Sequence, residues 1–215
     1  MRGLTMGLTA ALVLGLASSA WASPIEVWQG ANAPVVFDPI NGDLIGSTPV
    51  DFYNYYSESA HTGLEQAGKS NVYIYEYNGD LVLFSVHGQD NTFGLGRVTQ
   101  TFDNLPDGWQ LLVQDDPNQD TYTPSANSLT ADWFWINNTD GAALGLGAKA
   151  GLDGRVITVT SQNWFGNVNQ WCFVGGDGSV LMLDPTQPVN IRFVPEPAAL
   201  VLLSIGAAAM LLRRK

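Results

Sequence analysis

Acidic and amide side chains alternate in one short segment of the chain, DDPNQD. Asp116, Asn118 and Asp120 stand at every second position there, which is the spacing of the oxygen ligands that open many calcium-binding loops. An EF-hand is excluded, because Thr121 stands where that loop needs glycine and Asn127 where it needs a bidentate glutamate. The segment therefore predicts a simpler surface calcium site, and the alternative is a solvated turn.

Aromatic residues form a second group whose chemistry suits a ligand. Trp133 and Trp135 alternate in ADWFWI, so in a strand the two indoles share one face and Phe134 takes the other. Trp164 lies between an asparagine and a phenylalanine. Exposed rings beside Asn and Asp side chains can stack on sugar rings while those side chains bond the sugar hydroxyls. We therefore predict that Trp133, Trp135 and Trp164 contact a glycan, and the alternative is that they fill the core.

Motifs for covalent catalysis or for a bound cofactor are absent from the sequence. There is no G-x-S-x-G elbow, and His61 and His87 lie in no recognisable motif. Two histidines and the single Cys172 are too few for a usual zinc ligand set. The body is therefore predicted to be non-enzymatic and without a cofactor other than calcium. The alternative is a secreted carbohydrate-active enzyme in which two of the many carboxylates converge.

The net charge of the body limits the classes of partner that it can bind. Residues 23–194 contain 19 acids and 5 bases, which gives them a formal charge of −14. Such a surface repels nucleic acid and attracts cations, so binding to nucleic acid is excluded.

Both ends of the chain read as targeting segments. Arg2 precedes the apolar run LTAALVLGLA, and Ala20 and Ala22 form a small-x-small cleavage site, so residues 1–22 are predicted to be a signal peptide. At the other end, fifteen apolar or small residues would make a helix of about 22 Å, shorter than a hydrocarbon core of about 30 Å. This helix predicts transient insertion into the membrane.

The flanks of that apolar segment give its orientation. The basic cluster Arg213, Arg214 and Lys215 is expected to stay in the cytoplasm, which leaves the body outside. Before the segment, Pro195, Glu196 and Pro197 favour an extended and accessible backbone, which is what a membrane-embedded protease needs.

This order of elements, over about residues 194–215, resembles the PEP-CTERM sorting signal of Gram-negative and related bacteria. The resemblance implies export across the inner membrane, cleavage by an exosortase-type membrane protease, and release or attachment at the cell surface. It also implies species that make extracellular polysaccharide, which is the partner we expect for the body. The alternative for the tail is a plain transmembrane anchor. The predicted protein is thus a structural or polysaccharide-associated component of the cell surface or extracellular matrix.

The body between these ends, residues 23–193, shows the pattern of an all-β protein. Short runs of β-branched and aromatic residues recur between turn residues, and no crossover helices are visible. We predict one antiparallel β-sandwich, jelly-roll-like. Its clearest element is NVYIYEYNGDLVLFSV, where Asn78-Gly79 favours a two-residue hairpin turn. That turn sets Tyr77 opposite Asp80 and Tyr73 opposite Phe84, with apolar side chains on both faces.

Overall fold

Strands dominate the part of the chain that the structure describes. The computed structural model describes residues 24–57, 59–89 and 94–195, and within these ranges it has fourteen strands and two short α-helices. In chain order these are β1 (Ile25–Gln29), β2 (Val35–Phe37), β3 (Ile40–Asn41), α1 (Gly42–Ile45), α2 (Pro49–Tyr53), β4 (Lys69–Tyr77), β5 (Asp80–Gly88), β6 (Leu95–Asp103), β7 (Gln110–Gln114), β8 (Thr121–Pro124), β9 (Ser128–Ile136), β10 (Thr139–Ala148), β11 (Val156–Gly166), β12 (Gln170–Val174), β13 (Val180–Leu183) and β14 (Val189–Phe193).

The strands form two sheets that pack face to face. The first sheet has the order β2-β1-β14-β11-β6-β9-β8, and all of its pairings are antiparallel. The second sheet has the order β13-β12-β4-β5-β10-β7, with β3 beside β4. The predicted all-β sandwich is therefore confirmed.

The second sheet is mixed, because β12 runs parallel to β4. β11 carries the chain along the first sheet to the end of the sandwich where β4 begins. There the Asn169 and Gln170 amides donate to the carbonyl of Gly68, and the chain crosses directly into the second sheet. β12 consequently starts beside the start of β4 and takes the same direction.

The central hairpin has the register that its turn predicts. Tyr77 lies opposite Asp80, and Tyr73 lies opposite Phe84. One face of the hairpin, with Ile74 and Leu83, belongs to the main core between the sheets. The other face belongs to a second apolar cluster. This cluster is covered by α2 and includes the buried ring of Tyr53. Both faces of the β4–β5 hairpin are thus buried, as the sequence predicts.

A glycine-rich strand, β10, was not predicted from the sequence. It pairs with β5 on one side and β7 on the other. At Gly141 a Cβ atom would lie 2.1 Å from the carbonyl oxygen of Ser85, so the pairing with β5 requires a residue without a side chain. Alternation of apolar and polar residues cannot identify such a strand, because its glycines have no side chain to alternate.

The two ends of the described chain lie side by side. Ile25 pairs with Phe193, and the Val194 amide donates to the carbonyl of Pro24 at 3.0 Å. A loop joins them there, since the Gly154 amide donates to the carbonyl of Phe193 at 2.8 Å. We call this the near end of the sandwich. The opposite end, where β6 begins and β9 and β11 finish, is the far end.

Gly96 in β6 provides a test of the packing at the far end. A Cβ atom there would lie 2.2 Å from the ring of Trp135, whereas at Gly151 it would meet nothing within 4 Å. We expect Gly96→Ala to lower the free energy of unfolding by about 1–3 kcal/mol, because a buried indole would have to move. Gly151→Ala is the control and is expected to change it by less than about 0.5 kcal/mol. Urea unfolding measures both, and equal midpoints for the two variants would contradict this packing.

Candidate functional site

The first sheet turns one face to the core and the other, which we call the outer face, to solvent. The register sets four threonines in one row across four neighbouring strands: Thr160, Thr101, Thr130 and Thr123. The hydroxyls of Thr101 and Thr130 are 3.0 Å apart, and the Thr158 hydroxyl donates to Asn190 Oδ1 at 3.1 Å. The outer face therefore presents rows of hydroxyl groups spaced by the distance between strands, about 4.8 Å.

Four apolar side chains share this face at the far end. Phe134 and Phe165 lie opposite Arg97 on its two sides, so their backbones are two strands or about 10 Å apart. Leu95 and Ile136 pair directly beside them. The exposed fractions are 36% for Phe134, 61% for Phe165, 38% for Leu95 and 56% for Ile136. This group, which we call the far-end patch, is the kind of exposed apolar surface that marks an interaction site.

Four charged side chains of the outer face form two ion pairs, and Asp103 is a further acid on this face. Arg97 donates through Nε to Asp132 Oδ1 at 3.0 Å and through Nη2 to Oδ2, and the Thr99 hydroxyl donates to the same carboxylate at 2.9 Å. The guanidinium holds the pKa of Asp132 below its usual value. Arg192 is likewise paired with Glu26. The outer face consequently lacks the strong negative charge of the body as a whole.

This arrangement suits a sugar ligand. The rings of Phe134 and Phe165 can stack against the apolar faces of sugar rings, and the spacing between them is comparable to the span of two linked hexoses. Arg97, whose side chain is 51% exposed, lies between the two rings and can donate to sugar hydroxyls, and the Asp132 carboxylate beside it, 27% exposed, can accept from them. The surface provides exposed rings and hydrogen-bonding groups on an open sheet face. A polymer can lie across such a face without a cavity.

The predicted glycan contacts at Trp133 and Trp135 are corrected by the structure. The alternation along β9 is as predicted, but Trp133 and Trp135 are 0% and 1% exposed and lie in the core, while Phe134 faces solvent. Trp164 is half-buried and packs against Trp171 with the ring centroids 6.3 Å apart. The tryptophans face inward because the largest apolar surfaces gain most from burial. The signal that identifies the exposed face is Asp132, which shares the face of Phe134.

The predicted calcium ligands are not brought together on the surface. Asn118 is exposed, whereas Asp116 and Asp120 are buried. Asp116 Oδ1 accepts a hydrogen bond from the Tyr55 hydroxyl at 2.9 Å, and Asp120 Oδ1 accepts one from the Phe134 amide at 3.1 Å. Within the described ranges no group of three or more His, Cys, Asp or Glu side chains is arranged to hold a metal ion. Calcium binding remains a prediction.

A buried network of acids and tyrosines includes part of the segment 115–120, and it was not predicted from the sequence. Asp115 and Asp140 are 0% exposed. Asp115 Oδ2 accepts from the Tyr53 hydroxyl at 2.7 Å, and the Tyr122 hydroxyl donates to the backbone carbonyls of Asp115 and Gly141, both at 3.0 Å. Asp140 lies in β10, the strand that was not predicted from the sequence. Only the placement of that strand brings it close to Asp120.

The buried carboxyl groups hold protons at pH values where exposed ones are ionised. Burial raises the pKa of Asp115 to about 8, and the charges of Asp116 and Asp120 add to this effect. Burial also raises the pKa of Asp120 to about 6. Burial and the neighbouring Asp120 raise the pKa of Asp140 well above its usual range.

His87 makes a serine–histidine pair that solvent does not reach. Its Nδ1 lies 2.8 Å from the hydroxyl of Ser70, and both residues are 0% exposed. Burial lowers the pKa of His87 to about 3, so the ring is neutral and stacks on Trp135 in the core. This pair therefore serves the packing of the core.

Comparison with known proteins identifies the C-terminal segment. The family model of the PEP-CTERM protein-sorting motif matches residues 193–215. These residues are a PEP-CTERM sorting motif. No curated protein and no solved structure matches the chain. The motif implies that the protein is exported, sorted at the membrane and processed by an exosortase, which is a membrane protease.

The sorting motif starts inside the last strand of the sandwich. Its first residue, Phe193, pairs with Ile25 and is 1% exposed. Among the predicted processing residues, Pro195 is half-buried and lies two residues after Phe193. The others lie outside the described residues: Ala20, Ala22, Glu196, Pro197, Arg213, Arg214 and Lys215. No helix of the described ranges is long and apolar enough to cross a membrane.

The raised pKa of Asp115 predicts how stability depends on pH. Between about pH 4 and pH 8 the folded chain keeps a proton on Asp115 that the unfolded chain has lost, so the free energy of unfolding falls as the pH rises through this window. Asp115→Asn is expected to reduce this slope by up to about 1.4 kcal/mol per pH unit. Urea unfolding from pH 4 to pH 8 measures the slope, with the exposed Asp107→Asn as the control. An unchanged slope in Asp115→Asn would show that the carboxyl group ionises normally.

Proposed function

We propose that the chain is a secreted, non-enzymatic module that binds neutral polysaccharide of the cell surface or extracellular matrix through the outer face of its first sheet. The observation that carries this proposal is the exposure of Phe134 and Phe165 on the two sides of the Arg97–Asp132 pair. Two rings with hydrogen-bonding groups between them match a chain of sugar rings better than they match a single small ligand.

The charge of the body favours an uncharged polymer. With a formal charge of −14, residues 23–194 repel acidic polysaccharides unless cations intervene. The outer face itself carries less negative charge, because Arg97 is paired with Asp132 and Arg192 with Glu26, which leaves Asp103 as a further acid there. A neutral glycan can therefore approach this face without an electrostatic penalty.

Export and processing complete the proposal. Residues 1–22 direct the chain across the inner membrane, and the apolar segment after Pro197 holds the precursor there until the protease cuts at the PEP triad. The basic cluster keeps the end of the chain in the cytoplasm. The body then stays at the surface or enters the medium, where polysaccharide is accessible to the outer face.

The second candidate is a glycan-active enzyme that uses Asp120 and Asp140. Their raised pKa values resemble those of an acid pair that transfers protons. However, Asp140 is 0% exposed and Asp120 is 9% exposed, so a glycosidic oxygen has no path to both carboxyl groups in this fold. Burial of this pair supports a structural role. Release of reducing ends from a polysaccharide, lost in Asp120→Asn, would support the enzyme instead.

Polysaccharide binding is tested by removing the exposed rings. We expect Phe134→Ala and Phe165→Ala each to weaken binding to a neutral polysaccharide by about 5- to 30-fold, which corresponds to a loss of about 1–2 kcal/mol for an aromatic contact. Leu44→Ala, at a residue that is 85% exposed on α1, is the control and should bind like the wild type. Affinity electrophoresis in gels with neutral or acidic polysaccharide, with and without calcium, measures binding. Equal mobility of all variants in every gel would refute the proposal.

Processing is tested at the triad and at the basic cluster. We expect Glu196→Gln, or deletion of Arg213 to Lys215, to leave the uncut precursor in the membrane fraction. The first change alters the segment that the protease recognises, and the second removes the charges that hold the tail in place. Immunoblots of membrane and medium fractions report this, with Asp107→Asn as a control for loss of a negative charge. Release of these variants at the normal mature size would contradict the proposal.

A further inference from the structure

The sandwich and the cleavage segment are separated by a single residue. Phe193 is paired in the ladder and buried, Val194 donates its amide to Pro24, and Pro195 begins the PEP triad. One residue spans at most about 4 Å. Any protease that reaches the triad while the sandwich is folded must therefore touch the near end.

Hydrogen bonds hold the near end in place around the exit of the chain. The Phe193 amide donates to the carbonyl of Arg155 at 3.2 Å, and the Arg155 guanidinium donates to the carbonyl of Asn104 at 3.1 Å. The Leu105 amide in turn donates to the carbonyl of Asn127 at 2.9 Å. The loops that flank the exit are thus tied to the last strand, and the near end forms one surface.

The near end is acidic. Six exposed aspartates lie around it: Asp38, Asp43, Asp80, Asp107, Asp153 and Asp177. The bases there are engaged, since Arg155 donates to the backbone carbonyls of Asn104 and Leu105, Arg192 pairs with Glu26 and Lys149 pairs with Glu76. Such a surface is repelled by anionic lipid headgroups and complements a basic surface on a protein.

We infer that the near end is the surface that meets the membrane protease, and that it faces the membrane throughout the life of the precursor. β6 runs for nine residues, about 27 Å, between the two ends, so the far-end patch points away from the membrane. The precursor can therefore bind polysaccharide before it is cut. This inference rests on the proposed route of export and processing, and it does not depend on which glycan binds.

Accessibility of single cysteines tests this orientation. Asn127→Cys lies at the near end and Gln119→Cys at the far end, both at exposed positions, while the native Cys172 is buried. In full-length Glu196→Gln precursor on spheroplasts, a bulky maleimide should label Asn127→Cys about tenfold more slowly than Gln119→Cys, because residues 194–197 span at most about 14 Å and leave little room for the reagent between the near end and the membrane. In the same two variants with an intact triad, the released mature proteins are the control and should be labelled at equal rates.

Three results would overturn the inference, and they differ in which other proposals they refute. Equal labelling of both cysteines in membrane-held precursor would refute the orientation and leave the sorting and polysaccharide proposals standing. Absence of the precursor from the membrane fraction would refute both the orientation and the proposed route of processing. Slow labelling of Asn127→Cys also in the released protein would show that the fold itself covers this position, which again refutes the inference.

Discussion

Burial of both faces of the β4–β5 hairpin is the constraint on which the rest of the molecule depends. Tyr73 and Phe84 on one face, and Ile74 and Leu83 on the other, each need an apolar partner layer. The first sheet covers one face and the short helices cover the other. The second sheet is therefore the inner layer, and the first sheet has only one covered side. Its outer face is left to solvent for this reason, and the polar rows and the far-end patch lie there.

The fold could be predicted from the sequence in more detail than the candidate site. Asn78-Gly79 fixes the hairpin register, and the apolar pattern on both sides of that turn correctly predicts two buried faces. In β9 the alternation is as predicted, yet the tryptophans that were expected to contact a glycan lie in the core and Phe134 is the exposed residue. Alternation alone cannot tell which face is buried, and the tryptophans were preferred for their chemistry. Asp132 shares the face of Phe134, and this charged residue indicates that the face of Phe134 is the exposed one.

The strand β10 and the buried network of acids and tyrosines could not be predicted from the sequence, for a different physical reason. β10 consists largely of Gly and Ala, whose side chains show no alternation, so its existence depends on backbone approach to β5. Without β10 nothing in the sequence connects Asp140 to Asp120 or Tyr53 to Asp115. The buried network is a tertiary property. Within it the Tyr53 hydroxyl donates to Asp115, and burial raises the pKa of Asp140, so neither carboxyl group resembles one in a solvated turn.

The bond between Val194 and Pro24 has a consequence for maturation. Among the described residues, Phe193 is the last whose side chain contributes to either apolar cluster, so a cut beyond Val194 leaves the described part of both clusters in place. The severed product keeps every strand of the sandwich, including the ladder that joins its first and last segments. Cleavage therefore does not depend on folding. A protease that releases the sandwich has neither to unfold it nor to wait for it to refold.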